Sequence, residues 1–113
     1  MTDHKEALTE LLAKVEAGGG IKYEYHISAF LSYANSSHNA YNGSLDAAKA
    51  LHEAVLLGTS QYSITTDPTV GKASVCWWPD GISQEKQFYG ECWFQENPAR
   101  AWLIAILKAL IAG

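Results

Sequence analysis

The chain has 113 residues, enough for one domain across residues 1–113 and one hydrophobic core. Apolar residues make up 48% and charged residues 18%, a balance that argues against disorder and for a compact fold with some surface committed to contact. The net charge of −4 disfavours a DNA or RNA binder, which needs a basic footprint to displace counterions.

The first predicted element is an amphipathic helix over Thr2–Ala17, with Leu8, Leu11, Leu12 and Val15 at helical spacing. Gly18-Gly19-Gly20 ends it, because consecutive glycines strongly disfavour helix continuation. Ile21–Tyr33 is read as a second helix from Ile27, Phe30, Leu31 and Ala34. A strand competes there, since Tyr23, Tyr25 and Ile27 alternate. Asn35–Gly43 reads as a polar loop holding Tyr41. Ser44 then caps a third helix, Leu45–Leu57, with Leu45, Ala48, Leu51 and Val55 inward and Gly58 as its stop.

The composition then changes. Gln61–Thr66, Ala73–Trp78 and Gln87–Phe94 are rich in β-branched and aromatic residues, and they predict a three-stranded antiparallel meander. Asp67-Pro68 and Gly71 mark the first turn. Pro79-Asp80-Gly81 marks the second, where Pro fixes φ and Gly accepts a positive one.

A closing helix runs from Pro98 to Gly113, with Asn97 as cap and Pro98 at the first position, where a missing N–H costs nothing. Only Arg100 and Lys108 are charged in it, so it has almost no polar face. A helix apolar all round is buried all round. In so short a chain it calls for a sheet on one side and another helix or a second subunit on the other, which makes a homo-oligomer an expectation. The element order is α-α-α-β-β-β-α, an α+β fold.

The run Ser44-Leu45-Asp46-Ala47-Ala48, the Trp/Tyr-containing meander and the closing Asn97-Pro98-Ala99-Arg100-Ala101 helix start resemble the phage ABA sandwich domain, a family of small phage and prophage proteins. The likeness covers residues 44–113 and, loosely, the first helix with its glycine run. Segment 21–43 departs from the pattern, and the Trp usual after the third helix is replaced near Tyr62. The resemblance implies an α/β sandwich, a viral origin and hence a place in the cytosol of a bacterial host. It implies no activity.

Catalytic machinery is not expected. His4, His26, His38 and His52 lie on different elements, and there is no Gly-x-Ser-x-Gly elbow or Cys–His signature. Cys76 and Cys92 sit inside strands, where small buried hydrophobes are the default; two cysteines make no secreted framework, and the N-terminus shows no secretory pattern. A cytoplasmic protein is therefore expected. No metal is expected without a His-x-x-x-His or Cys-x-x-Cys pair, and Asp46 and Glu53 read as a solvated stripe. The glycine run precedes Ile21 and forms no phosphate loop, so no cofactor is expected. The closing helix is too short, and too interrupted by charge, to span a bilayer comfortably, so no membrane is expected either.

Alternation puts Val75 and Trp77 on one face of the sheet and Cys76 and Trp78 on the other. It likewise separates Phe88, Gly90, Cys92 and Phe94 from Tyr89, Glu91 and Trp93. Both faces carry aromatics, so the one away from the helices needs cover from a helix, a partner or a ligand. The closing helix start offers an anion site: the amides of Ala99 and Arg100 behind Asn97, with the Arg100 guanidinium added. Trp78, Trp93 or Tyr89 would stack a flat base, and Lys86 or Lys72 would hold phosphate.

These features suggest a small phage-encoded binding protein without turnover. It would sequester a nucleotide-type immune signal, of cyclic-nucleotide or ADP-ribose type, as a sponge against antiviral defence. The alternative is an oligomeric interaction protein that binds a host or phage protein and no small ligand. An enzyme would need an acid or base beside bound phosphate, and only His38, Glu91 and Glu96 are candidates.

Overall fold

The structure is a computed structural model that describes residues 3–65, 72–79, 87–93 and 97–113. Thr2, the Asp67-Pro68 and Gly71 turn, Asp80-Gly81, Lys86, Phe94 and Glu96 lie outside the described residues. The elements are α1 (Asp3–Ala17), α2 (Tyr23–Phe30), a 3₁₀ turn (Leu31–Tyr33), α3 (Ala34–Tyr41), α4 (Leu45–Val55), β1 (Thr59–Thr65), β2 (Lys72–Trp78), β3 (Phe88–Trp93) and α5 (Pro98–Ala112). The fold is α+β, with the sheet ordered β1-β2-β3 and both strand pairs antiparallel.

Local signals set most boundaries. Ser44 Oγ accepts the amide of Ala47 and caps α4, and Asn97 Oδ1 accepts the amide of Arg100 and caps α5. Gly58 follows α4 with φ +100°, and a β-carbon there would lie 2.7 Å from the carbonyl oxygens of Trp78 and Pro79. Only glycine fits this crossing, where the Trp77 indole also donates to Leu57 O at 2.8 Å.

The expected polar loop at Asn35–Gly43 is instead largely helical, as α3. Its sequence is poor in helix formers, so packing decides. Ala34, Ser37, Ala40 and Tyr41 are buried at near-helical spacing. Segment 21–33, left between helix and strand by its pattern, forms α2 and the 3₁₀ turn.

Helix α5 lies between the sheet and α1, α3 and α4. Leu103, Ile104, Ile106 and Leu107 are each 1% exposed or less, and burying such a side chain contributes roughly 1.5–3 kcal/mol. The chain covers its own apolar helix, so a second subunit is not needed for that purpose. Gly90 on β3 lets the sheet approach: a β-carbon there would stand 2.1 Å from Ala105 O on α5. Gly90, Val75 and Tyr62 are in register on the inner face, and Ala73 pairs with Cys92 beside them.

Candidate functional site

The two halves of the expected site separate in the fold. At the start of α5, Ala99 is fully buried. The Arg100 Nε donates to Tyr41 O at 3.0 Å, and its guanidinium carbon lies 3.8 Å from the Tyr41 ring centroid. The acceptor belongs to the last turn of α3, where carbonyls concentrate negative charge. Tyr41 is itself buried and donates its hydroxyl to Gly19 O. Asn97, Ala99 and Arg100 thus join α5 to the helical layer. The Arg100 side chain, read from sequence as an anion ligand, bonds the Tyr41 carbonyl.

Trp78, Tyr89 and Trp93 do share one face. The register pairs Cys76 with Tyr89, Ser74 with Glu91 and Lys72 with Trp93, all pointing away from α5. Tyr89 is 45% and Trp93 50% exposed. The Tyr89 hydroxyl donates to Glu91 Oε2 at 3.0 Å, and Lys72 Nζ lies 3.3 Å from the same oxygen. Lys72 Nζ also sits 4.3 Å from the Trp93 ring centroid. The bond from Tyr89, then the one from Lys72, holds the Glu91 carboxyl below the usual carboxylate range. The result is a row, Tyr89–Glu91–Lys72–Trp93, of two flat rings flanking an ion pair. On the same outer face Cys76 Sγ accepts from Gln87 Nε2 at 3.6 Å. Cys92 faces inward, so the two free thiols lie on opposite faces, and burial pushes the Cys92 thiol up.

Sequence reasoning passed over the buried histidines. His26 Nδ1 meets Ser37 Oγ at 2.7 Å, both residues being fully buried. Burial first, and the neighbouring His38 second, lower the His26 pKa to about 4. A serine beside a neutral imidazole has the parts of a nucleophile, yet nothing outside can reach it. His26 Nε2 and His38 Nδ1 are buried without partners. On the other side of the molecule Trp102 Nε1 donates to His52 Nδ1, and His52 Nε2 meets Ser60 Oγ at 2.9 Å. The local signal for either pair is slight, because each joins residues of separate elements.

Hollows of about 670 and 650 Å³ run along α1, lined by residues such as His4, Glu6, Tyr25 and Ser28, and Lys5, Thr9 and Ile111. Neither includes a residue of the expected site. The outer sheet face has a shallow hollow of about 110 Å³ between Gln61, Ser63, Ser74 and Cys76. Among the described residues no group of three metal-ligating side chains converges, and no helix is long and apolar enough to cross a membrane. No protein-family model, curated protein or solved structure matches the chain.

Proposed function

We propose that the chain is a non-catalytic interaction protein that engages a protein partner through the outer face of its sheet. The observation that carries this reading is the row of Tyr89, Glu91, Lys72 and Trp93, two half-exposed aromatics around an ion pair on an open strand surface. Aromatic side chains supply large contact area at little entropic cost and dominate interface energetics. Among the described residues, the hollow found on this face is about 110 Å³, well below the roughly 300–1,000 Å³ of small-molecule sites. A broad partner surface fits it better than a small ligand does.

One contact favours a second reading on the same face. Lys72 above Trp93 sets a cation beside a stacking ring, the two elements that hold a nucleotide's phosphate and base. On this reading the protein sequesters a cyclic-nucleotide or ADP-ribose-type immune signal. If the resemblance to the phage family holds, the setting proposed for either role is the cytosol of an infected bacterium.

A thermal-shift panel of cyclic dinucleotides and ADP-ribose isomers separates the two. Ligand at a hundred times its dissociation constant stabilises by about 2.7 kcal/mol. No shift with any member favours the protein partner. A shift that vanishes in Lys72→Ala and Trp93→Ala favours nucleotide capture. Chromatography showing a converted nucleotide contradicts both, since neither reading includes turnover.

A further inference from the structure

A fully buried histidine sits on a lightly held helix. Helix α2 has eight residues and no side-chain cap at Lys22, and its buried residues are His26, Ala29 and Phe30. A helix this short is marginal without tertiary support. It leaves through Leu31 at φ +52° and ψ −118°, where a bulky side chain is strained. It packs chiefly on α1, α3 and the 3₁₀ turn, apart from the contact of α5 with the sheet.

His26 holds α2 against α3. Its Nδ1 meets Ser37 Oγ at 2.7 Å, and its ring centroid stands 5.5 Å from that of His38. An imidazolium carries a proton on both nitrogens. Yet His26 Nε2 and His38 Nδ1 are buried with no hydrogen-bond partner. A proton added to either ring therefore places a charged donor where nothing receives it, and protons on both set like charges side by side. The neighbouring elements bring no acceptor. Tyr23 and Tyr41 present their rings to His26 at 6.2 and 6.4 Å, and Arg100 of α5 stacks on Tyr41 and adds positive charge. From α1, His4 Nε2 meets Ala29 O, Lys14 covers the Tyr25 ring, and Glu6 and Glu10 border Tyr25 and Ser28 on another face of α2. The one acid of α2, Glu24, is exposed, and α3 has none. Among the described residues neither imidazole pairs with a carboxylate.

We propose that α2 is an acid-released flap: protonation of the His26–His38 pair detaches it from α3 and exposes Ser37, while α5 stays packed on the sheet. The open form takes up its proton at the ordinary imidazole value of 6.5, whereas burial first, and His38 second, lower that of closed His26 to about 4. The closed form is therefore fully favoured above pH 6.5 and loses ground as pH falls toward 4. Between pH 7.5 and 5 the open fraction should rise about thirtyfold.

The test is amide hydrogen exchange of the full chain, followed by NMR at pH 7.5 and 5 with and without low urea, and corrected for the intrinsic pH dependence of exchange. At pH 5 the α2 amides should lose about thirtyfold in protection. They should also be indifferent to low urea, the mark of a local opening, while α5 amides keep the greater protection and respond to urea. His26→Gln cannot gain the charge and should abolish the pH effect in α2. His38→Gln changes a less buried residue, folds more readily, and should at least halve that effect. Equal α2 protection at both pH values overturns the proposal. So do α2 and α5 amides of equal protection and equal urea response, which mark one global unfolding. A pH effect undiminished in His38→Gln, or surviving in a folded His26→Gln chain, overturns it as well.

Discussion

The Trp102 indole donates its Nε1–H to His52 Nδ1 across 3.2 Å, and this bond fixes the imidazole tautomer. An indole can only donate, so His52 Nδ1 accepts, and its Nε2 carries the proton that reaches Ser60 Oγ at 2.9 Å. Three residues from α5, α4 and β1 form one chain of donors, with the Tyr62 ring 4.4 Å from that of Trp102. Trp102→Phe keeps most of the apolar contact and leaves Nδ1 of a buried histidine without a donor. A loss of about 1–3 kcal/mol follows, read as a lower urea midpoint at unchanged slope.

Acid should weaken the fold well before its carboxylates titrate. His26 is lowered to about 4 from the ordinary 6.5, and burial also lowers His52. As pH falls, the unfolded chain takes up these protons first. The stabilisation from neutral His26 is complete above pH 6.5, declines between 6.5 and about 4, and is gone below. Its size is about 3 kcal/mol, at 1.36 kcal/mol per pKa unit. Urea titrations at closely spaced pH values across that window check it, and a flat profile between pH 7 and 5 contradicts it.

Gly90→Ala should be among the most damaging single changes. The added β-carbon meets the backbone of α5 at Ala105 O, 2.1 Å away, and a helix carbonyl cannot rotate aside as a side chain does. Overpacking of this kind costs about 3 kcal/mol or more. Thermal unfolding by circular dichroism should show a large fall in Tm or no folded protein.

Arg100→Lys separates the expected anion role from the observed structural one. Lysine keeps the charge and loses both the planar stack on Tyr41 and the Nε donor. A loss of about 1–2 kcal/mol in unfolding free energy is expected, with partner capture unchanged once the variant is folded. Capture lost while stability holds would return Arg100 to the binding site.

What the sequence disclosed was local. Asn97 and Pro98 announce α5, Ser44 announces α4, and alternation assigned Tyr89 and Trp93 to the face opposite Gly90 and Cys92. What it concealed was long-range. Helix α3 reads as polar because Asn35 and Asn39 face solvent, and its buried Ser37 meets a histidine eleven residues earlier, a relation with no periodic signature. The Arg100 partner lies 59 residues away and accepts through its backbone, so no charge pattern reveals it. The apolar excess of α5 was visible. That α1, α3 and α4 would cover it was not, because one of those helices read as a loop.

The proposed interface role requires an outer sheet face that works by contact and contributes little to folding. The most direct measurement compares the wild type with Tyr89→Ala/Trp93→Ala, scoring unfolding free energy and capture of partners from a bacterial lysate side by side. Half-exposed side chains with one hydrogen bond or cation–π contact should cost about 1 kcal/mol each, while capture falls to background. Capture that persists undiminished, or a double variant that loses its fold, would contradict the account.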